Sequence, residues 1–181
     1  MGLEETMNTH IDDDLAAGIR RARGQQLGDL LRRSAARSPN KLALVFRDHR
    51  DTFRELDEVV NRTANALAAL GISKGERIAL LSRNNRAFVI LRFALARIGA
   101  VTTPVNFMLN AEDVAYILAH SGARGLICQD SLCDMAETAL SMMDGGPDLL
   151  FSIAHAGVAV SDLWAPIEPL FDHPDASEPW V

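Results

Sequence analysis

Residues 78–106 read IALLSRNNRAFVILRFALARIGAVTTPVN. The opening Ile78-Ala79-Leu80-Leu81 is a short apolar run of the kind a buried strand presents. Asn84 or Asn85 then offers a side-chain oxygen to cap a helix. That helix runs to Ile98 and stops at Gly99, a common helix terminator. Residues 101–105 are β-branched apart from Pro104 and read as a second strand. Strand, helix and strand within about 28 residues make a βαβ unit, whose crossover is right-handed in nearly all proteins. The helix is apolar on most of its circumference, through Phe88, Val89, Ile90, Leu91, Phe93, Ala94, Leu95, Ala96 and Ile98. Such a helix is buried in a large body or crosses a membrane. It is far shorter than the roughly 20 residues a crossing needs, and Arg92 and Arg97 interrupt it, so burial between layers is expected. Both guanidinium groups should lie at its ends or on one edge, paired with acids or reaching solvent. A buried charge deprived of its partner costs about 3–5 kcal/mol.

Outward from this unit the chain alternates. Residues 26–36 carry Leu27, Leu30, Leu31 and Ala35 at helical spacing, and Pro39 ends that helix. Residues 41–46 begin a strand. Asp48-His49-Arg50-Asp51 is a turn, so residues 42–46 and those near Thr52 are expected to pair as a hairpin. Thr52 with Glu55 forms a capping box. Leu56, Val60, Ala64, Leu67 and Ala68 then follow one helical face as far as Gly71. Residues 77–81 form the strand of the central unit. Asn110 caps a helix to about His120, Gly122 stops it, and residues 125–128 are another strand. A helix near 131–143 ends at Gly145-Gly146-Pro147, and residues 149–153 form a further strand. Strands separated by helices argue for a mostly parallel sheet flanked by helices, an α/β fold. Beyond Gly157, Trp164, Ile167 and Leu170 could dock on a surface, but Pro166, Pro169, Pro174 and Pro179 favour an extended tail.

A chain of 181 residues suits one domain or part of a larger one. Its net charge of −6 is unevenly spread: 17 basic and seven acidic residues between Arg20 and Arg97 give +10, whereas one Arg and twelve acids in 98–181 give −11. Solvated helix faces account for such a split, and so does a basic surface for an anionic ligand such as coenzyme phosphates. Basic residues without interleaved aromatics, and no recognisable nucleic-acid module, argue against nucleic acid as a partner. Residues 1–20 are acidic and contain no secretory apolar region, and no stretch is long enough to be a transmembrane segment. Met1-Gly2 with Thr6 satisfies the myristoylation pattern by chance, given its acidic neighbours. Cys128 and Cys133 lack companions for a zinc site and read as two reduced thiols of a cytoplasmic protein.

Ligands of open α/β sheets bind beyond the carboxyl ends of the strands. Those ends are residues 82–85, 106–110 and 129–130. Asn106 is the candidate cofactor-binding residue; its competing role is to hold its loop by side-chain to backbone hydrogen bonds. No residue qualifies as catalytic and no set as a metal site. There is no Gly-rich loop ending in Lys-Ser or Lys-Thr, and His120-Ser121 lacks a nucleophile-elbow context. His49 reads as a solvated turn residue, and His155 and His173 lie in weakly structured sequence.

The order Asn, apolar helix, Gly-Ala-Val, Pro-x-Asn at residues 84–106 resembles the adenylate-forming acyl-CoA synthetases. The resemblance extends from about Leu27 to Asp130, through TFRELDEVVNRTANALAALGISKGERIALL before the helix and LNAEDVAYILAHSGARGLI after it. It implies the incomplete first part of the family's large N-terminal domain. Residues 1–24 would be a flexible acidic leader, 25–160 the α/β portion, and 161–181 a Pro-rich acidic tail leading toward the family's ATP loop. The complete family enzyme is an acid–thiol ligase that uses ATP, Mg²⁺ and coenzyme A on a fatty or aromatic carboxylate. The Thr/Ser/Gly-rich ATP loop, the ribose-binding Asp and the C-terminal lysine of that family are not in these 181 residues. The chain alone is therefore expected to hold no cofactor and to be inactive, and to self-associate through uncovered apolar surface. The alternative is a stand-alone, non-catalytic α/β binding or interaction module. Some family members carry a basic residue two positions after the Pro-x-Asn asparagine, close to the coenzyme phosphates; here that position is Met108.

Overall fold

The computed structural model describes residues 27–179, so the expected leader 1–24 lies outside the described residues. Helix α1 (Leu27–Arg37) leads into an antiparallel hairpin, β1 (Leu42–Phe46) and β2 (His49–Thr52). Its turn residue Arg47 takes a left-handed φ of 52°. Helix α2 (Phe53–Ala69) follows, then β3 (Arg77–Leu81), α3 (Arg86–Arg97), β4 (Val101–Val105) and α4 (Ala111–Ser121). The chain continues through β5 (Gly125–Gln129), α5 (Cys133–Ser141), β6 (Leu149–Ile153) and a short β7 (Ala165–Pro166). The five strands β3 to β7 form one sheet in the order β4-β3-β5-β6-β7, parallel throughout.

Local chemistry sets the boundaries. Thr52 and Glu55 complete the capping box at the start of α2, with the Thr52 N–H donating to Glu55 Oε2 at 2.8 Å. Asn85, not Asn84, caps α3 by accepting the Phe88 N–H at 2.8 Å. Asn110 does the same for α4 with Asp113, and Gly122 ends that helix with φ 59°. The helix expected over 131–143 is shorter: residues 130–132 form a 3₁₀ turn, and α5 proper begins at Cys133.

The strands sort their side chains by the period of two. Ile78, Leu80 and Ile127 join a core beneath α1, α2 and α3, while Ala79, Leu81, Leu126 and Cys128 face α4 and α5. β5 is buried along its whole length, as a central parallel strand covered on both faces must be. Arg92 is exposed. Arg97 is buried and donates to the Asp57 carboxylate, the Asp57 carbonyl and Asn61 Oδ1 on α2. Both expectations for the interrupting arginines therefore hold.

One expectation fails. The tail is not extended. Trp164 (5 % exposed) enters the core on the α4–α5 side, and Ile167 (fully buried) enters the opposite one. Between them β7 pairs with β6, and the 3₁₀ turn Glu168–Asp172 lies on α2. Each such side chain contributes about 1.5–3 kcal/mol by burial, and Pro166 is tolerated because an edge strand has one side on which no donor is needed. Helix α3, by contrast, is left partly uncovered, in line with the apolar surface expected of a partial domain. Its outer residues Phe88, Val89 and Phe93 are only half-buried, and with Leu27 they line an open groove of ≈ 360 Å³.

Candidate functional site at the carboxyl edge of the sheet

β3 leaves the sheet through α3 on one face and returns as β4. β4 leaves through α4 on the other face and crosses β3 to enter as β5. The carboxyl ends of β3 and β5 are therefore neighbours whose following loops diverge, the crevice where open α/β sheets bind ligands.

In this protein the bottom of that crevice is closed by its own side chains. Gln129, fully buried at the end of β5, accepts the Arg83 N–H at 3.1 Å and donates to Ser131 Oγ at 2.8 Å. Ser82 Oγ accepts from Asn85 Nδ2 at 2.9 Å and lies 3.4 Å from Gln129 Oε1. Asp130 does more. Its carboxylate accepts backbone N–H groups from Ser131, His155, Ala156, Gly157 and Val158 at 2.7–3.3 Å. Burial pushes its carboxyl up, yet these N–H donors together outweigh burial and hold it below its ordinary value. The loop after β6 is thus wrapped around one charge. No His, Cys or Gly motif advertises this in the sequence; only the position of an Asp at the end of an apolar strand does.

The β3–β4 side is open. Asn106 is exposed and its Oδ1 accepts the Met108 N–H at 3.0 Å, the loop-holding role. Met108 is 78 % exposed. The exposed Arg83 guanidinium lies 4.8 Å above the Phe107 ring and forms no ion pair among the described residues. Arg83 and Asn106, not joined by sequence reasoning, share this mouth because β3 and β4 are register-paired through Leu81 and Val105.

Elsewhere, the turn expected over 48–51 is confined to residues 47–48, and His49 is exposed as the first residue of β2. It lines a separate hollow of ≈ 250 Å³ with Arg47, Arg86, His155 and Glu168, where Asp51 neutralises Arg86 through two 2.8 Å contacts. Cys128 and Cys133 are free, buried thiols that share the Gln129 carbonyl as acceptor. Hydrogen bonding with Cys133 and burial push the Cys128 thiol up, which keeps it protonated. Among the described residues no group of His, Cys, Asp and Glu is placed to hold a metal ion, and no helix is long and apolar enough to cross a membrane.

An all-parallel sheet of this order, helices on both faces and a crevice at its strand reversal define an open α/β domain. Residues 31–165 match the AMP-binding enzyme family, and the chain belongs to it. A 2-succinylbenzoate–CoA ligase of Listeria monocytogenes is 40 % identical over 104 residues, 58 % of this chain and 22 % of that protein. The long-chain-fatty-acid–CoA ligase FadD13 of Mycobacterium tuberculosis is 40 % identical over 105 residues, 57 % of this chain and 21 % of that protein. The solved N-terminal domain of FACL13 from Mycobacterium tuberculosis superposes with a TM-score of 0.73 at 30 % identity. That match covers 87 % of this chain and 38 % of the solved one. The chain thus spans about a fifth of the length of the curated relatives it matches.

Proposed function

We propose that these residues are the N-terminal part of an ATP-dependent, AMP-forming ligase that joins a fatty or aromatic carboxylate to coenzyme A. The observation that carries this reading is the superposition on a solved ligase N-terminal domain, over most of this chain but little more than a third of that domain. Relatives named for a fatty acid and for an aromatic succinylbenzoate leave both substrate classes within the proposal. ATP and Mg²⁺ would supply carboxylate activation in the complete enzyme, and coenzyme A the accepting thiol. Residues 1–181 carry no phosphate loop and no catalytic lysine, so by themselves they lack the electrostatic stabilisation that such a step needs. The proposed setting is the cytoplasm.

The test is carboxylate-dependent exchange of pyrophosphate into ATP. The 181-residue chain should show none. A chimera in which it replaces the matching part of FACL13 should show exchange, and an inactive but folded chimera would count against the ligase reading. The groove beside Leu27, Phe88, Val89 and Phe93, together with the exposed Leu42 and Val45 of the hairpin, supports self-association of the isolated chain. A second reading, a stand-alone α/β module, draws support from the tail, which contributes to both cores. Light scattering separates the two: oligomers favour the partial domain, and a cooperatively unfolding monomer favours the module.

A further inference from the structure

We infer that the hollow between the tip of the β1–β2 hairpin and the end of β6 is a binding site for a phosphate-class oxyanion, gripped by Arg47 with the rings of His49 and His155. It does not depend on the ligase reading. The hollow, of ≈ 250 Å³, is lined by apolar Phe46, Ile153 and Phe171 and by the three basic side chains. Asp51 reaches inward to Arg86, and the alternation of β2 puts His49 on that same face, opposite its register partner Phe46. Three observations carry the inference. First, the charge of Arg47 is not neutralised. Its Nη1 donates to the His155 carbonyl at 3.2 Å, its Nη2 lies 3.3 Å from His155 Nε2, and its guanidinium carbon lies 5.4 Å from the Phe46 centroid. None of these partners is an acid, and no carboxylate pairs with Arg47 among the described residues. The contacts hold the guanidinium in place and leave others of its N–H groups for an anion. Second, Arg47 is the one non-glycine residue with a left-handed φ, 52°, among the described residues. Glycine adopts that conformation freely and arginine does not. A strained backbone at the lip of a hollow points to use of the side chain it displays. Third, neighbouring donors are free. A guanidinium only donates, so His155 Nε2 accepts from Arg47 and Nδ1 carries the ring proton, with no acceptor among the described residues. The exposed His49 ring likewise has no hydrogen-bond partner there. Arg86 also lines the hollow, but Asp51 neutralises it through two 2.8 Å contacts. Glu168, which accepts the Ala154 N–H at 2.8 Å, is the one lining acid among the described residues and opposes an anion. A phosphate group turns oxygens in several directions and so suits donors that converge from a turn, a strand and a loop.

The experiment is a ¹H–¹⁵N titration of the 181-residue chain with inorganic phosphate and with phenyl phosphate, and with chloride as the control for ionic strength. Both phosphates should shift the amides of residues 46–49 and 154–156 and the ring signals of His49 and His155, and chloride should not. Tighter binding of phenyl phosphate assigns a phosphomonoester whose apolar body lies against Phe46 and Phe171; preference for inorganic phosphate assigns the free ion. Arg47→Gly should weaken binding by about tenfold, the loss of one charge-assisted contact. It should keep its fold, because glycine relaxes the left-handed turn position. Glu168→Gln keeps an acceptor for the Ala154 N–H and should tighten binding by about threefold, the scale of one partly solvated charge. Arg50→Ala, on the outer face of the hairpin by the same alternation, should leave affinity unchanged. Shifts no larger than those with chloride, undiminished binding by Arg47→Gly, a Glu168→Gln variant that does not tighten, or an equal loss in Arg50→Ala would each overturn the inference.

Discussion

The two halves of the sheet's carboxyl edge are built on opposite plans. At β5 and β6 one carboxylate, Asp130, accepts N–H groups from five residues, and the loop that follows β6 is drawn inward. At β3 and β4 the loops carry the side chains of Arg83, Asn106 and Met108 outward, tied back only by the Arg83 N–H to Gln129 and by the local Asn106–Met108 bond. Buried N–H groups must find acceptors, so the closed half spends its polar side chains on structure. The open half has donors to spare, and free donors are what a ligand needs. The half with fewer internal contacts is therefore the one on which the proposed ligand-binding role rests.

Removing Asp130 should produce the largest effect. Asp130→Ala leaves several inward-facing N–H groups without an acceptor, each unsatisfied group costing about 1–3 kcal/mol before the loop relaxes to water. A net loss of about 3 kcal/mol in the denaturant midpoint analysis is expected, with hydrogen exchange accelerated at residues 155–158 and unchanged at 106–108. Uniform acceleration would erase the distinction between the halves. The same carboxylate sets an acid dependence. Because its folded value lies below the ordinary one, its contribution is complete above the unfolded value, about 3.9, and is lost as pH falls through the folded value. Asp130→Asn should thus have a shallower stability decline below about pH 4 than the native protein. Parallel curves would mean that the loop does not depend on the charge.

Next in size is Gln129→Ala. It removes the acceptor of the Arg83 N–H and the donor to Ser131, both around a fully buried side chain. A loss of about 2 kcal/mol is expected. It should also loosen both halves, since Gln129 links β5 to the loop after β3. An effect confined to residues 129–131 would show that the open half does not rely on it.

The sequence shows the closed frame more readily than the half-open site. The βαβ unit, the Thr52 capping box and the Asn110 cap follow from period and side-chain chemistry over a few residues, and each is where it was expected. Arg97 was legible too, as a charge in an apolar helix that needed a partner, although Asp57 and Asn61 as those partners come only from helix packing. The Asp130 loop was not legible. Its acceptor and donors lie about 25 residues apart, and backbone N–H groups leave no compositional trace. The docked tail misled for a related reason. Proline frequency describes local preference, whereas Trp164 and Ile167 are held by cores that sequence-distant helices create. At the open half, Asn106 was singled out by motif order, but Arg83 was not, because its link to Phe107 spans two parallel strands.

Asn106→Ala should have the smallest effect and discriminates most sharply between structure and binding. The side chain is exposed and makes one hydrogen bond, to the Met108 N–H. Both groups are at the surface, so water replaces the lost acceptor, and a stability change of about 0.5 kcal/mol is the scale for such a site. The proposed cofactor role predicts a different ratio of effects. If Asn106 only holds its loop, coenzyme A affinity should change in step with the altered 106–108 signals, and Asn106→Ser, whose neutral hydroxyl oxygen can accept the Met108 N–H, should restore both. If the amide itself meets the coenzyme, Asn106→Ser should restore the loop signals and leave affinity as weak as in Asn106→Ala. Measuring both variants in the same titration separates the roles, because a serine can replace the acceptor that the loop needs but not the amide that a ligand would meet.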